Sequence, residues 1–282
     1  LPFHESLPLS AMEAGADMCS ASMHKTGGSL TQSSILLLRN SMISPDYVKQ
    51  VINLTCTSSA SYILMCSLDV ARKQLATKGY EILDRALMIS RWAREELNKI
   101  KGLYAFGNEL IGTPGCFDFD ETKLGINIKG LGFTGYQVET ILRKQYNIQI
   151  ELSDIYNILA IVSLGDTMDD VKRLVNALKD LAQKPANSEA KRVIAPPGQP
   201  EMVVTPRDAF FSHKKAMPLD ESIGEISGEM VMSYPPGIPV ICMGELITKD
   251  IIDYIKMLKE EECEIQGTEN PYADYIRVLE SK

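Results

Sequence analysis

The chain has 282 residues, 45% of them hydrophobic, and carries a formal charge of −8 from 29 basic and 37 acidic side chains. That length allows two or three domains with ordinary buried cores, and the acidic balance argues against a surface built to seek nucleic-acid phosphates. No apolar run approaches the roughly 18–20 residues that span a bilayer, and no basic-then-apolar leader is legible at the start.

Residues 16–24 and 32–38 read as two short strands, the second (QSSILLL) so continuously apolar that it suggests a parallel sheet covered on both faces. Residues 60–76 predict a helix and 81–100 a longer one, with Ile82, Ala86, Ile89, Ala93, Leu97 and Ile100 at helical spacing and Gly102 as its stop. An alternation follows: a strand at 124–128, a helix at 134–146, strands at 148–152 and 156–163, then a helix capped by Thr167 and running to about Gln183. Such alternation makes a compact α/β layer. Residues 184–206 are rich in proline and polar side chains and read as a linker. Beyond them lie a helix near 206–216, a strand region around YPPGIPVICM and a helix at 248–262.

Six scattered cysteines without a C-x-x-C pair read as thiols in a reducing compartment, and cytoplasm is the expected location. Asp118 and Asp120 in FDFDE have no third ligand nearby in sequence, and His4 and His213 have no ligand-spaced partners, so no metal site is expected. Cys242 reads as core packing and KEEECEIQ as a solvated helix end.

The stretch CSASMHKTGGSLTQ is chemically richer. In an extended strand Ser20, Ser22 and His24 would share one face, just before Lys25 and the turn at Gly27 and Gly28. Two hydroxyls and an imidazole can hold an anion such as a phosphate. A partly buried lysine beside them can stay neutral enough to condense with an aldehyde. Pyridoxal phosphate needs that pairing of amine and phosphate cup. The same residues also allow a plain surface lysine after a strand.

The run LPLSAMEAGADMCSASMHKTGGSLTQSS resembles the cofactor segment of the ornithine/lysine/arginine decarboxylases of aminotransferase-like fold. TSSASYILMCSLDVAR, TKLGINIKGLGFTG, ELSDIYNILAIVSLGD, TPRDAF and YPPGIPVICMGE continue the resemblance in order. It is similar to the shorter Gram-positive-type arginine decarboxylases. The resemblance implies an α/β chain forming the C-terminal part of that fold. Residues 1–77 would be a remnant of the large mixed-sheet domain, 78–184 a small α/β domain with a bridging helix, 185–206 a linker, and 207–282 an α+β decarboxylase module.

By the same resemblance, Lys25 is the Schiff-base lysine, with Ser22 at the phosphate and His24 against the cofactor, helping place a proton. Thr57 marks where a neighbouring subunit reaches the phosphate, so a homodimer or higher oligomer is implied. Glu151, with Asp154, would face the cationic end of a basic amino acid. The residues independently allow Glu151 to stand opposite Ile148, Ile150 and Leu152, where a solvated carboxylate is equally natural. The implied reaction converts arginine to agmatine. Lysine or ornithine as substrate, an aminotransferase of the same fold, and a non-catalytic subunit are the alternatives. The family's D-x-A-H aspartate, which holds the pyridine nitrogen, would lie upstream of Leu1, so the chain alone is expected to bind the cofactor weakly.

Overall fold

The computed structural model describes residues 4–39, 42–184, 196–234, 237–261 and 263–280. The chain falls into two compact units, one formed by Leu1–Asn127 and Leu159–Gln183, the other by Ile128–Ile158 and Lys184–Lys282. The α/β mixture expected from the sequence is present in both.

The first unit opens with β1 (Met18–Ala21), a four-residue helical turn α1 (Met23–Thr26) and β2 (Ile35–Leu38). The two strands pair antiparallel, Met18 opposite Leu38 and Ala21 opposite Ile35. The expected parallel, doubly covered arrangement is therefore replaced by a two-stranded ladder on which Met18, Leu36 and Leu37 stay 40–45% exposed. The connection between the strands folds as a reversing turn instead of a crossover, which leaves only the antiparallel pairing.

Helix α2 (Pro45–Thr55), absent from the sequence reading, buries no side chain. It is followed by α3, which runs unbroken from Tyr62 to Asn98 where two helices had been expected. Gly79 explains the difference. It lies on the buried stripe with Leu75 and Leu83, four residues to either side, and so serves helix packing where the sequence suggested a break. The stripe is confined to Ala71 and beyond, and it faces α5 (Met168–Leu181), whose Val171, Leu174, Val175, Leu178 and Leu181 are buried. Thr167 and Asp170 cap α5 reciprocally, as the sequence predicted for Thr167. The short β3 (Tyr104–Ala105) pairs antiparallel with β4 (Lys123–Asn127), and β6 (Asn157–Ile161) follows in the sheet order.

In the second unit Thr134 and Gln137 form a capping box on α4 (Gly135–Tyr146), which ends where Asn147 adopts a left-handed conformation (φ 52°). The predicted strand at 148–152 contributes only β5 (Leu152–Ser153) to a ladder, although Ile150 is buried and Gln149 and Glu151 are exposed as the alternation required. Helix α6 (Pro206–Phe211) stops short of the expected 216, because Lys214–Pro218 form β7 and pair antiparallel with β11 (Tyr275–Leu279). A second antiparallel sheet orders β10 (Ile265–Gln266), β8 (Val231–Ser233) and β9 (Ile238–Ile241). Helix α7 (Lys249–Glu260) lays Ile251, Ile252, Ile255 and Leu258 into the core beside Val231 and Ile241.

Of the predicted linker, residues 185–195 lie outside those described, as do Pro235 and Pro236 of the YPPGIP run. The later part is tied down: the Val203 and Val204 amides both donate to the Gly244 carbonyl, at 2.9 and 3.0 Å. Among the described residues no helix is long and apolar enough to cross a membrane.

Candidate active site

The strand expected to carry Ser20, Ser22 and His24 on one face ends at Ala21. Ser22 becomes the N-cap of α1, extended at φ −76° and ψ 94°, and its hydroxyl makes no capping bond. Lys25 and His24 fill the last turn of α1 instead of a strand end. Alternation is thus replaced by a helical advance, which sets Ser22, His24 and Lys25 on successive short steps around one turn. Ser22 and Lys25 are exposed, His24 half-buried and Met23 buried.

Two features hold this turn. The imidazole Nδ1 of His24 lies 3.0 Å from the Ser33 carbonyl oxygen. A carbonyl only accepts, so Nδ1 carries the proton, and neutral His24 has Nε2 as its accepting atom. Ser33 is itself buried, donating its hydroxyl to the Leu30 carbonyl and accepting from Ser29. Gln32, just before it, adopts φ 70°, a conformation few side-chain-bearing residues take. The second feature is Gly27, where any Cβ would stand 2.5 Å from Met23 Cε and 2.9 Å from the Met23 carbonyl oxygen. Gly28 takes φ 83°, for which glycine is the natural residue. Sequence reasoning found the glycines but not Ser33, whose contribution is largely a backbone carbonyl and leaves no residue-type signal.

Thr57 is exposed in the segment between α2 and α3, where its hydroxyl accepts from the Ser59 amide at 3.1 Å. Glu151 and Asp154 belong to the second unit, whereas Ser22, His24, Lys25 and Thr57 belong to the first. Glu151 is exposed; Asp154 is half-buried and closes a turn. Its Oδ1 accepts from the amides of Tyr156 (2.7 Å) and Asn157 (2.8 Å), and both of its oxygens accept from Asn157 Nδ2. Ser153 donates to Glu139 Oε2 at 2.5 Å. The segment bearing Glu151 is therefore fixed on its C-terminal side by a side-chain-capped turn.

Asp120, weighed for metal in the sequence, accepts from the Thr122 amide and hydroxyl and pairs with Lys123 at 3.0 Å. Among the described residues no group of three His, Cys, Asp or Glu side chains could hold a metal ion. The donor set at Lys25 is of another kind: a primary amine, a hydroxyl and an imidazole, with glycines that keep the backbone bare. Those groups fit a phosphorylated aldehyde, which needs an amine for its carbonyl and donors for its phosphate.

Comparison with known proteins gives the family of the chain. Residues 2–130 match the model of the Orn/Lys/Arg decarboxylase major domain, and residues 187–279 match that of the Orn/Lys/Arg decarboxylase C-terminal domain. The chain is 44% identical to an arginine decarboxylase of Bacillus subtilis over 99% of its own length and 58% of that protein's. A Bacillus anthracis arginine decarboxylase matches at 44% over 98% of the chain and 57% of the relative. The chain thus spans little more than half the length of these relatives. Its fold is shared with lysine decarboxylases from Francisella novicida (TM-score 0.75, 22% identity, 93% of this chain and 48% of that one) and Pseudomonas aeruginosa (0.77, 16%, 99% and 52%). Two domain models of one family, in chain order, together with the Bacillus relatives, place the chain in the Orn/Lys/Arg decarboxylase family.

Proposed function

We propose that this chain is the Lys25-bearing part of a pyridoxal-phosphate-dependent decarboxylase that converts arginine to agmatine. The observation that carries the reading is the α1 turn, an amine, an imidazole of defined tautomer and an uncommitted N-cap hydroxyl within four residues. When bound, the cofactor supplies an aldehyde for the substrate amine and a conjugated ring for the electron pair left as carbon dioxide departs.

Lys25 supplies the amine that holds the cofactor's aldehyde carbon, and Ser22 donates its hydroxyl to the phosphate. His24, held at Nδ1 by Ser33, accepts or returns a proton at Nε2. Glu151 receives the substrate's distal cation; a guanidinium meets a carboxylate through two parallel hydrogen bonds, an ammonium through one point charge. Asp154 is assigned to the turn behind Glu151, since both its oxygens are already engaged there. A second copy of the chain is part of the proposal, with Thr57 reaching across to the neighbouring phosphate. Leu54 and Tyr62, on either side of Thr57 in sequence, are 86% and 77% exposed, apolar side chains that a second copy would cover.

The test takes the complete decarboxylase of which this chain would be the Lys25-bearing part, and its Lys25→Ala variant, adds pyridoxal phosphate to each, then supplies arginine, lysine and ornithine. The wild type is expected to develop a visible absorption band that Lys25→Ala lacks, and to release carbon dioxide and agmatine from arginine. A band that persists in Lys25→Ala refutes the site. Turnover of lysine in place of arginine reassigns the substrate, and an oxo-acid product refutes decarboxylation.

A further inference from the structure

The second unit contains a cleft of about 410 Å³ with Lys214 among its lining residues. Lys214, the first residue of β7, is half-buried there. Its stem lies across Gly228, where an added Cβ would stand 3.1 Å from both Cγ and Cδ, so the glycine is what makes room for the lysine. The ammonium sits 5.4 Å from the centroid of the Phe210 ring and 3.9 Å from Met243 Sδ. Both are weak partners for a full positive charge.

The other charges of the cleft are already matched. Glu229 is buried and accepts the amides of Glu269 (2.8 Å) and Arg277 (3.0 Å). Glu269 takes the Arg277 guanidinium through Nε at 2.5 Å and a terminal nitrogen at 2.7 Å. Of the two cationic side chains among the described lining residues, Arg277 is paired with Glu269 while Lys214 has no carboxylate against it, and His213 also lines the cleft. An ammonium on a packed stem is a point-charge partner for carboxylate or phosphate oxygens. Glu229 and Glu269, which also line the cleft, would repel an extended polyanion, so the cleft suits one compact group.

We propose that this cleft binds a single small oxyanion, a phosphate or a carboxylate, seated on Lys214. The proposal stands independently of the reaction assigned to Lys25.

The protein, labelled with nitrogen-15, is titrated with inorganic phosphate and separately with acetate, against sodium chloride at matched ionic strength. Saturable shifts are expected at the amides of Lys214, Gly228 and Arg277, and the tighter of the two anions names the source of the group. Lys214→Met keeps the stem and removes the charge, and Lys214→Gln serves if the methionine variant does not fold; affinity should fall at least tenfold in either, while Lys214→Arg retains it. Shifts that chloride reproduces, or an unchanged affinity in the variant lacking the charge, would overturn the site.

Discussion

Gly135 is a position where two physical effects disagree and their sizes decide the outcome. It is the first residue of α4, and helix propensity alone favours alanine over glycine by about 1 kcal/mol in a helix interior. The structure opposes this strongly. A Cβ at 135 would lie 2.1 Å from the Asp154 carbonyl oxygen and 2.4 Å from that of Asn157. Both are backbone atoms of the turn that Asp154 closes, and the Gly135 amide itself donates to the Ile155 carbonyl at 3.1 Å, so neither side can swing away. Overpacking of this kind typically costs about 1–3 kcal/mol, and contact with backbone on two atoms places it at the upper end. The net expectation for Gly135→Ala is destabilisation by about 2 kcal/mol, which at a slope of about 2 kcal/mol per molar lowers the urea midpoint by about 1 M. Gly165→Ala is the control: its nearest non-neighbour atom would be Ser163 Oγ at 3.9 Å, an ordinary contact, so its midpoint should barely move. A Gly135→Ala protein as stable as the wild type would refute the argument, because propensity would then have outweighed the clash.

Three further outcomes follow from the same reasoning. The hydrogen-bonded Arg91 guanidinium holds the Glu121 carboxyl below its ordinary value of 4.5, so this pair stabilises the fold above that pH and its contribution fades as pH falls through the lowered value. Glu121→Gln should therefore flatten the acid limb of a stability-against-pH curve while leaving its alkaline limb unaltered; parallel curves would contradict the assignment. Thr167→Ala removes one half of the α5 capping box and should lower stability by about 1 kcal/mol, measured by urea unfolding, whereas Thr167→Ser should recover most of it. Burial raises the Cys263 thiol to about 11, so Cys263 should resist iodoacetamide at neutral pH in the folded protein while exposed Cys56 and Cys66 are alkylated, as peptide mass spectrometry would show.

Much of the helical layout was legible because it rests on signals local in sequence. Thr167 with acids in the next turn, and the apolar spacing from Ile82 to Leu97, specify their helices without help from distant residues. Strands were harder, because pairing partners decide them. IQIEL alternates correctly, and Ile150 is buried, yet only Leu152 and Ser153 meet a ladder. KKAMP looks like a helix continuation until β11, sixty residues later, pairs with it. The candidate site divided in the same way. Residue types identified Lys25, Ser22 and His24 as a chemical set. The helical turn that arranges them depends on the Ser33 carbonyl, which carries no residue-specific signature. Asp154 adds what residue type could not show: the carboxylate near the proposed binding group also accepts the Tyr156 and Asn157 amides and so closes a turn.

A turn as short as α1 cannot stand by itself, since helix nucleation is unfavourable and four residues close too few hydrogen bonds to offset it. What places Lys25 must therefore come from outside the turn's own ladder, and the structure offers two constraints at its two ends. At the C-terminal end the Gly27 amide donates to the Met23 carbonyl at 2.7 Å while the buried Met23 side chain occupies the space a Cβ at 27 would need. On its flank the His24 ring and amide both reach the Ser33 carbonyl, at 3.0 and 3.4 Å. The first constraint sets how tightly the chain coils, and the second sets which way the coil faces. Lys25 lies between them, exposed, on a backbone fixed at both sides. For the role proposed for Lys25, an amine that reaches a cofactor, that fixed backbone supplies the rigid base.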